Sequence, residues 1–145
     1  MAVEAFDADA VTGGALDRGE VTLEIATGKI VSICGFLKYD QKFIRISSVT
    51  AVDYYPAEPR FEVVYHLHSL ELKQRVRLKC KLHGADPVIE SVTSVWRSAN
   101  WYEREVFDLF GIRFLQHPDL RRIMMPDDWE GHPLRKDYPI TGGRI

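Results

Sequence analysis

The sequence lacks the marks of a membrane protein and of a disulfide-stabilised protein. Its most apolar stretch, 30–37, is too short to span a bilayer. It has only 2 cysteines, Cys34 and Cys80, which lie far apart and form no redox or iron–sulfur motif. The N-terminal residues include acids but no early Lys or Arg, unlike a secretory signal or a mitochondrial transit peptide. These absences predict a protein of a reducing compartment, on the cytosolic side of the cell.

Motifs of self-contained enzymes are missing as well. No phosphate-binding loop, dinucleotide-binding loop, nucleophile turn or zinc-protease helix motif occurs. The formal net charge is only -2, so no global attraction to nucleic acid is indicated. What is present is the composition of an ordinary globular domain, with 145 residues, 46% of them apolar and 28% charged. We expect one domain without an active site of its own.

Apolar periodicity predicts an α+β fold. Residues 21–25 alternate as a short strand, and Thr27 is placed to cap a helix. That helix has an apolar stripe formed by Ile30, Ile33, Cys34 and Leu37. Three more segments, 43–54, 61–67 and 76–82, have the alternation of strands joined by short links, which favours antiparallel pairing. A slip in the alternation at Ser47-Ser48 predicts a bulge.

The second helix and the C-terminal region complete the predicted architecture. Asn100 is placed to cap this helix with Glu103 as its partner, and Gly111 to end it in a left-handed conformation. Four prolines then fall within 118–139, which predicts an extended tail ordered only against a surface. The expected fold is a mainly antiparallel sheet of about four strands, with helices on one face and an extended proline-rich C-terminal tail. Its three parts are a loose N-terminal arm (1–19), an α+β core domain (20–115) and a docking tail (116–145).

Four charged residues on the second helix form the most informative cluster of the sequence: Glu103, Arg104, Glu105 and Asp108. Two carboxylates on one face can serve acid–base catalysis. Arg104 can reach Asp108 at i+4, however, and such a pair keeps the carboxylate ionised. The cluster therefore predicts either an ion-pair network that fixes the tail to the helix or the same network shared with a partner chain.

Two other polar patterns allow a different class of function. His66 and His68 point to one face of a strand and could hold zinc, but no third ligand stands at a telling spacing. A basic stripe follows on the next strand, formed by Arg75, Arg77, Lys79 and Lys81. No aromatic residues are interleaved on its face, so it is more typical of a solvated face, or one that meets an acidic partner, than of a nucleic-acid site.

The tail has the composition of an interface. Tryptophan, arginine and methionine are enriched at interface centres, and prolines reduce the entropy lost on docking. Within 18 residues the tail contains Arg121, Arg122, Met124, Met125, Trp129, Arg135 and Tyr138.

Spaced motifs across the chain resemble a known family. They are Ala99-Asn100-Trp101, Glu103-Arg104-Glu105, Asp108-Leu109-Phe110, His117, Arg121, Ile123-Met124 and the run from Pro126 to Pro139, and segments 49–54 and 60–67 are also similar. Together they resemble the signature of the 30-kilodalton subunit (designated C) of NADH:quinone oxidoreductase, respiratory complex I. The resemblance covers roughly residues 20–140.

The resemblance implies a non-catalytic structural subunit of the hydrophilic arm of a proton-translocating complex that transfers electrons from NADH to quinone. It implies that FMN, iron–sulfur clusters and quinone are bound by partner subunits and that this chain binds none. Of the neighbouring subunits B, D and I, the tail is expected to dock on D, which helps form the quinone site and resembles the large subunit of nickel–iron hydrogenases. We call that partner the hydrogenase-like subunit. Membrane contact is expected only through the complex, on the cytoplasmic side of the bacterial cell membrane.

The resemblance also implies a set of docking positions. They are Glu103, Arg104, Glu105, Asp108, His117, Arg121, Arg122, Trp129, Arg135 and Lys136. Two alternatives stay open: the equivalent subunit of a ferredoxin-linked photosynthetic complex or membrane-bound hydrogenase, and a free-standing module that binds metal or nucleic acid through His66, His68 and the basic stripe.

Overall fold

The structure is a computed structural model that describes residue 3 and residues 6–139, apart from the side chain of Asp17. Within the described residues, the elements that follow residue 6 are seven strands, two helices and a short 3-10 turn. The elements are β1 (Val11–Asp17), β2 (Glu20–Ile25), the 3-10 turn (Thr27–Lys29), α1 (Ile30–Tyr39), β3 (Arg45–Asp53), β4 (Phe61–Ser69), β5 (Gln74–Leu82), β6 (Val88–Glu90), α2 (Ala99–Phe110) and β7 (Arg113–Leu115). Within the described residues no helix is long and apolar enough to cross a bilayer.

The main sheet has five strands in the order β1-β2-β5-β4-β3, so the prediction of about four strands is wrong. Its extra strand is β1, which pairs antiparallel with β2 and lies within the predicted loose arm. Gly13 and Gly14 lie within this edge strand, and its register against β2 shifts between Val11 and Gly13, as is common at a strand glycine. Residues 1, 2, 4 and 5 of that arm lie outside the described residues.

One strand pair departs from the predicted antiparallel pattern. β2 runs parallel to β5, with Leu23 opposite Leu78, while the three other strand pairs of the sheet are antiparallel. The predicted bulge is confirmed, since the register of β3 against β4 shifts between Ile46 and Ser48. The sheet is therefore mixed, and its core-facing alternation was readable from the sequence while the direction of β2 was not.

A single hydrophobic core unites the sheet with both helices. All four members of the predicted α1 stripe are buried in this core. Phe61 and Tyr65 of β4 are also part of it, and both are 0% exposed. Full burial of a large apolar side chain contributes about 1.5–3 kcal/mol, so this core is the main source of stability. Thr27 does not cap α1; its hydroxyl donates to the Lys81 carbonyl at 3.0 Å instead.

The predicted extended tail is instead a series of turns that folds back on its own domain. Residues 116–139 contain no helix or strand. Backbone amides of Trp129, Arg135 and Tyr138 donate to the carbonyls three residues earlier, which closes three tight turns. The prolines therefore favour turns rather than an extended segment here. Residues 140–145 of the predicted tail lie outside the described residues.

Candidate docking site

Helix α2 packs against β3 and carries the charge cluster on its faces. It begins at Ala99, with no side-chain cap from Ser98, so the predicted capping box of Asn100 and Glu103 is wrong. Glu103 turns inward instead and is fully buried. Its carboxylate accepts hydrogen bonds from the Ser91 hydroxyl at 2.5 Å and the Val92 amide at 2.8 Å. Burial raises the pKa of Glu103 to about 7, against the lowering effect of those two donors.

His117 lies beside Glu103 and is inaccessible to solvent through its side chain. Its Nδ1 accepts from the Asp119 amide at 3.0 Å, so the ring proton is on Nε2, which donates to the Asn100 carbonyl at 3.2 Å. Burial lowers the pKa of His117, which favours this neutral form. The 4.0 Å approach of Nε2 to Glu103 is therefore a contact between a neutral ring and a carboxyl group that titrates near neutrality.

Asp108 anchors the tail at the other end of α2. Its Oδ2 accepts three successive backbone amides, from residues 123–125, at 2.7–3.2 Å, and its Oδ1 lies 2.7 Å from the Arg122 guanidinium. Burial would raise the pKa of this carboxyl, but these four donors outweigh it and lower the pKa. The carboxylate is therefore ionised and fully committed within its own chain.

The predicted pair between Arg104 and Asp108 is wrong. Arg104 donates instead to the carbonyls of Arg121 and Arg122, at 3.1 and 3.2 Å, and its guanidinium lies over the Trp101 ring at 5.4 Å. A local i+4 pair contributes only a few tenths of a kcal/mol on an exposed helix face. The tail supplies Asp108 with more donors in a buried setting, so the long-range arrangement is preferred.

The tail also binds the last carbonyls of α2, which have no partners inside the helix. The His132 ring donates to the Asp108 carbonyl at 3.0 Å. The Leu134 amide donates to the Leu109 carbonyl at 2.9 Å, and the Arg135 guanidinium donates to the Phe110 carbonyl at 2.6 Å. Gly111 ends the helix with a φ of 77°, as predicted. A Cβ there would come within 2.6 Å of the Arg135 and His132 side chains, so the tail packs directly on this glycine.

A second attachment of the tail was missed from the sequence. Arg60 forms a bidentate pair with buried Asp53 at 2.8 and 2.9 Å and also reaches Asp137 of the tail at 2.7 Å. The Lys136 amide donates to Asp53 at 2.8 Å. Although burial opposes it, Arg60 and the backbone amides lower the pKa of Asp53 to about 2. The sequence did contain a signal for this pair. Asp53 continues the inward-facing alternation of Val49 and Ala51, which predicts a buried carboxylate, and a buried carboxylate requires a cation as its partner.

The ten predicted docking residues therefore divide into two groups. Seven are buried or half-buried and bond within the chain through their side chains: Glu103, Arg104, Asp108, His117, Arg122, Trp129 and Arg135. Trp129 is half-buried and donates to the Tyr138 hydroxyl at 3.0 Å. The side chains of Glu105, Arg121 and Lys136 are exposed, with Arg121 paired to Asp119 at 2.8 Å. The charge network is thus largely internal, and its outer members are the ones open to a partner.

Three exposed apolar residues lie on the same helix and tail segments as those outer charges. Trp101 is 63% exposed, Met124 63% and Leu134 51%. We call the surface formed by Trp101, Glu105, Arg121, Met124 and Leu134 the helix–tail surface. Large apolar side chains so exposed beside charges are typical of protein interfaces.

The histidines and the basic stripe lie on the open face of the sheet, away from this network. His66 bonds to the Ser48 hydroxyl at 2.9 Å, and burial, followed by the charge of Arg77, lowers the pKa of His66. Within the described part of the chain, no group of three or more His, Cys, Asp or Glu side chains is placed to hold a metal ion. Three cations of the stripe pair with carboxylates on neighbouring strands: Arg77 with Glu20, Lys79 with Glu62 and Lys81 with Glu24.

Comparison with known proteins identifies the family. Residues 23–144 match the sequence model of a family described as "Respiratory-chain NADH dehydrogenase, 30 Kd subunit". A protein of Geobacter sulfurreducens, named as a subunit (designated C) of NADH-quinone oxidoreductase, is 57% identical over 126 residues, which cover 86% of this chain and 78% of that protein. A protein of Rhizobium meliloti that is named as a subunit of the same type (designated C 2) is 49% identical over 137 residues, covering 90% and 75%.

Two solved structures have the same fold. A trypsin-resistant fragment of Nqo5 is 30% identical, with a TM-score of 0.72 over 82% of this chain and 96% of the fragment. A chain of the membrane-bound sulfane sulfur reductase, an archaeal respiratory membrane complex, is 26% identical, with a TM-score of 0.82 over 96% of this chain and 82% of that one. The chain therefore belongs to the family of the 30-kilodalton subunit of the respiratory-chain NADH dehydrogenase, whose bacterial relatives are named as subunits of NADH-quinone oxidoreductase.

Proposed function

We propose that the chain is a structural subunit of the hydrophilic arm of a proton-translocating NADH:quinone oxidoreductase and has no active site of its own. The observation that carries this is the 57% identity to the Geobacter sulfurreducens protein over 86% of the chain. In this role FMN, iron–sulfur clusters and quinone are bound by other subunits. The chain lies on the cytoplasmic side of the cell membrane and reaches the membrane through the complex.

The internal charge network supports a scaffold role. Its carboxylates and cations are mutually satisfied, as Asp108 and Arg122 illustrate, so they hold the tail rather than a substrate. Buried ion pairs of this kind fix one arrangement more reliably than they add stability. The network thus presents the helix–tail surface as a preformed, rigid patch, which lowers the entropy lost on docking.

We assign the helix–tail surface to the hydrogenase-like subunit, with subunits B and I nearby. Trp101 and Met124 are its apolar anchors, and Glu105 and Arg121 supply charges of both signs at its rim. Aromatic and methionine anchors dominate the binding energy of such interfaces, while rim charges set orientation.

The docking proposal is tested with the double variant Trp101→Ala/Met124→Ala. Each truncated anchor is expected to cost about 1–2 kcal/mol of binding to the hydrogenase-like subunit, with the melting temperature of the free chain almost unchanged. A matched control, Tyr39→Ala/Ile44→Ala, removes apolar side chains that are 69% and 58% exposed but lie outside α2 and the tail. Equal loss of binding in both double variants would show that the helix–tail surface is not the contact.

The identity of the whole complex is tested by affinity purification of the tagged chain from its native membrane. Recovery of a flavin-containing module that oxidises NADH is the expected result. The similarity to a chain of the sulfane sulfur reductase favours one alternative, in which the chain serves a related complex with another electron donor. Recovery of the hydrogenase-like subunit, together with its neighbours but without an NADH-oxidising module, would support that alternative.

A further inference from the structure

A row of two arginines and a histidine crosses three strands at one end of the open sheet face. Arg45 of β3 stands opposite His68 of β4, and His68 stands opposite Arg75 of β5. Adjacent strands are about 4.8 Å apart, so Arg45 and Arg75 are separated by about 10 Å across the row. We call Arg45, His68 and Arg75 the cationic row.

The two arginines of the cationic row differ from the other three cations of the basic stripe, because no described carboxylate pairs with them. The other three cations of β5 each have a carboxylate on a neighbouring strand, as described above. Among the described side chains, neither Arg45 nor Arg75 forms an ion pair, and both are exposed. The sheet therefore neutralises one end of its open face and leaves the other end positive.

An apolar side chain adjoins the row. The turn between β4 and β5 exposes Leu70 by 59% and Leu72 by 46%. Leu70 lines the same groove as His68 and Arg75, together with Lys73 and Glu20, and the Glu20 carboxylate is paired with Arg77. A groove that combines unpaired arginines with an exposed leucine is complementary to a polypeptide that carries both carboxylates and an apolar residue.

Other anionic ligands fit the groove less well. Nucleic acid favours aromatic residues interleaved with cations, but the residues interleaved along β5 are Val76, Leu78 and Cys80, which face the core. Glu24 and Glu62 lie farther along the open face and would repel a long phosphate backbone that continued past the row, whereas a short acidic segment does not reach them. The row also lies across strands and offers no helix N-terminus to a single phosphate group.

We propose that the cationic row and Leu70 form a second docking surface, which binds an acidic segment of a partner polypeptide. The segment places two carboxylates about 10 Å apart on Arg45 and Arg75 and an apolar side chain on Leu70. This surface is separate from the helix–tail surface, so each can be lost without the other.

The test is a titration of the full chain with a fluorescein-labelled peptide of glutamate and leucine at low ionic strength, where exposed charges are least screened. A peptide with glutamine in place of glutamate is the neutral control. Arg45→Gln/Arg75→Gln is expected to weaken binding of the acidic peptide roughly five- to tenfold, since each exposed ion pair contributes little alone. Leu70→Ser is expected to weaken it further at unchanged charge.

Arg97→Gln/Arg113→Gln is the matched control, because it removes the same charge from exposed positions outside the sheet face. The proposal predicts that this control binds the peptide as the parent does. Equal weakening in both double variants, no measurable binding by the parent, or tighter binding of a single-stranded oligonucleotide through the same arginines would each overturn it.

Discussion

Two buried carboxylates on helix α2 behave in opposite ways. Glu103 and Asp108 are both 0% exposed and five residues apart, yet burial raises the pKa of Glu103 to about 7 while the pKa of Asp108 is lowered. Glu103 is the more deeply buried of the two, and the donors also differ. Glu103 has one hydroxyl and one amide, whereas Asp108 has three amides and a guanidinium.

Loss of solvent exposure alone therefore does not decide the charge state of a carboxyl group; the depth of its burial and the number and charge of its donors decide it together. The Asp108 end of the helix is an ionic anchor for the tail. The Glu103 end is a hydrogen-bonded site whose charge changes within the physiological pH range. In the sequence the two residues look alike, as acids on one amphipathic helix.

The largest expected effect comes from removing the anchor. Asp108→Ala leaves the half-buried Arg122 charge without its counter-ion and three amides without their acceptor, so the free energy of unfolding should fall by about 3–5 kcal/mol. Urea denaturation of the isolated chain measures this. Arg122→Gln should cost less, because the amides keep their acceptor. A loss below about 1 kcal/mol for Asp108→Ala would mean that the anchor is dispensable.

The next effect is a pH dependence carried by Glu103. Its folded-state pKa of about 7 is above the ordinary value of 4.5. Its contribution to stability is therefore complete below pH 4.5, declines as the pH rises, and is lost above about 7. Relative to Glu103→Gln, the parent should lose roughly 3 kcal/mol across this window.

The comparison with Glu103→Gln matters because His117 and His132 act in the opposite direction. Burial lowers their pKa values, so their contributions are lost as the pH falls. Asp108, with its lowered pKa, likewise loses its contribution only in acid, below its ordinary value of 3.8. Denaturation curves of both chains at several pH values give the difference; a constant difference would show that Glu103 ionises normally.

A smaller effect is expected at the helix end that the tail covers. Gly111→Ala places a Cβ in a left-handed conformation and against the Arg135 and His132 side chains, which should cost about 1–2 kcal/mol. Gly35→Ala is the control, because Gly35 lies inside α1 with nothing within 4 Å of an added Cβ. That control should gain up to about 1 kcal/mol. Equal effects of the two substitutions would mean that the tail does not press on Gly111.

The smallest effect on stability is expected at Glu105, the exposed carboxylate between the other two. Glu105→Ala should change the free energy of unfolding by no more than about 0.5 kcal/mol. The affinity of this variant for the hydrogenase-like subunit should nevertheless fall, since a rim charge acts on association. A binding assay beside the urea curve separates the two quantities. A large stability loss would place Glu105 in the internal network.

The elements with regular periodicity were predictable from the sequence. An element that buries one face has apolar residues at a regular spacing in the sequence. That spacing predicted the four-residue stripe of α1, the alternation of β3 to β5 and the bulge near Ser48. The end of α2 at Gly111 follows from local conformational preference in the same way.

The partners of charged residues were not predictable, because they are set by contacts distant in sequence. Arg104 and Asp108 suggested a pair by spacing, but the donors of Asp108 come from a segment 14–17 residues away. Arg60 meets Asp137 across 77 residues. The family was recognisable from the spaced motifs, while the division into internal and exposed charges required the fold.

The parallel pairing of β2 with β5 has a consequence for biosynthesis. The N-terminal hairpin of β1 and β2 finds its sheet neighbour only in Gln74–Leu82, about fifty residues later in the chain. During translation the backbone groups of β2 that pair with β5 therefore stay unpaired until β5 has left the ribosome. Such non-local pairing slows folding and exposes strand edges in the meantime. The β1–β2 hairpin is thus made before β3 and β4 but joins the sheet only after β5.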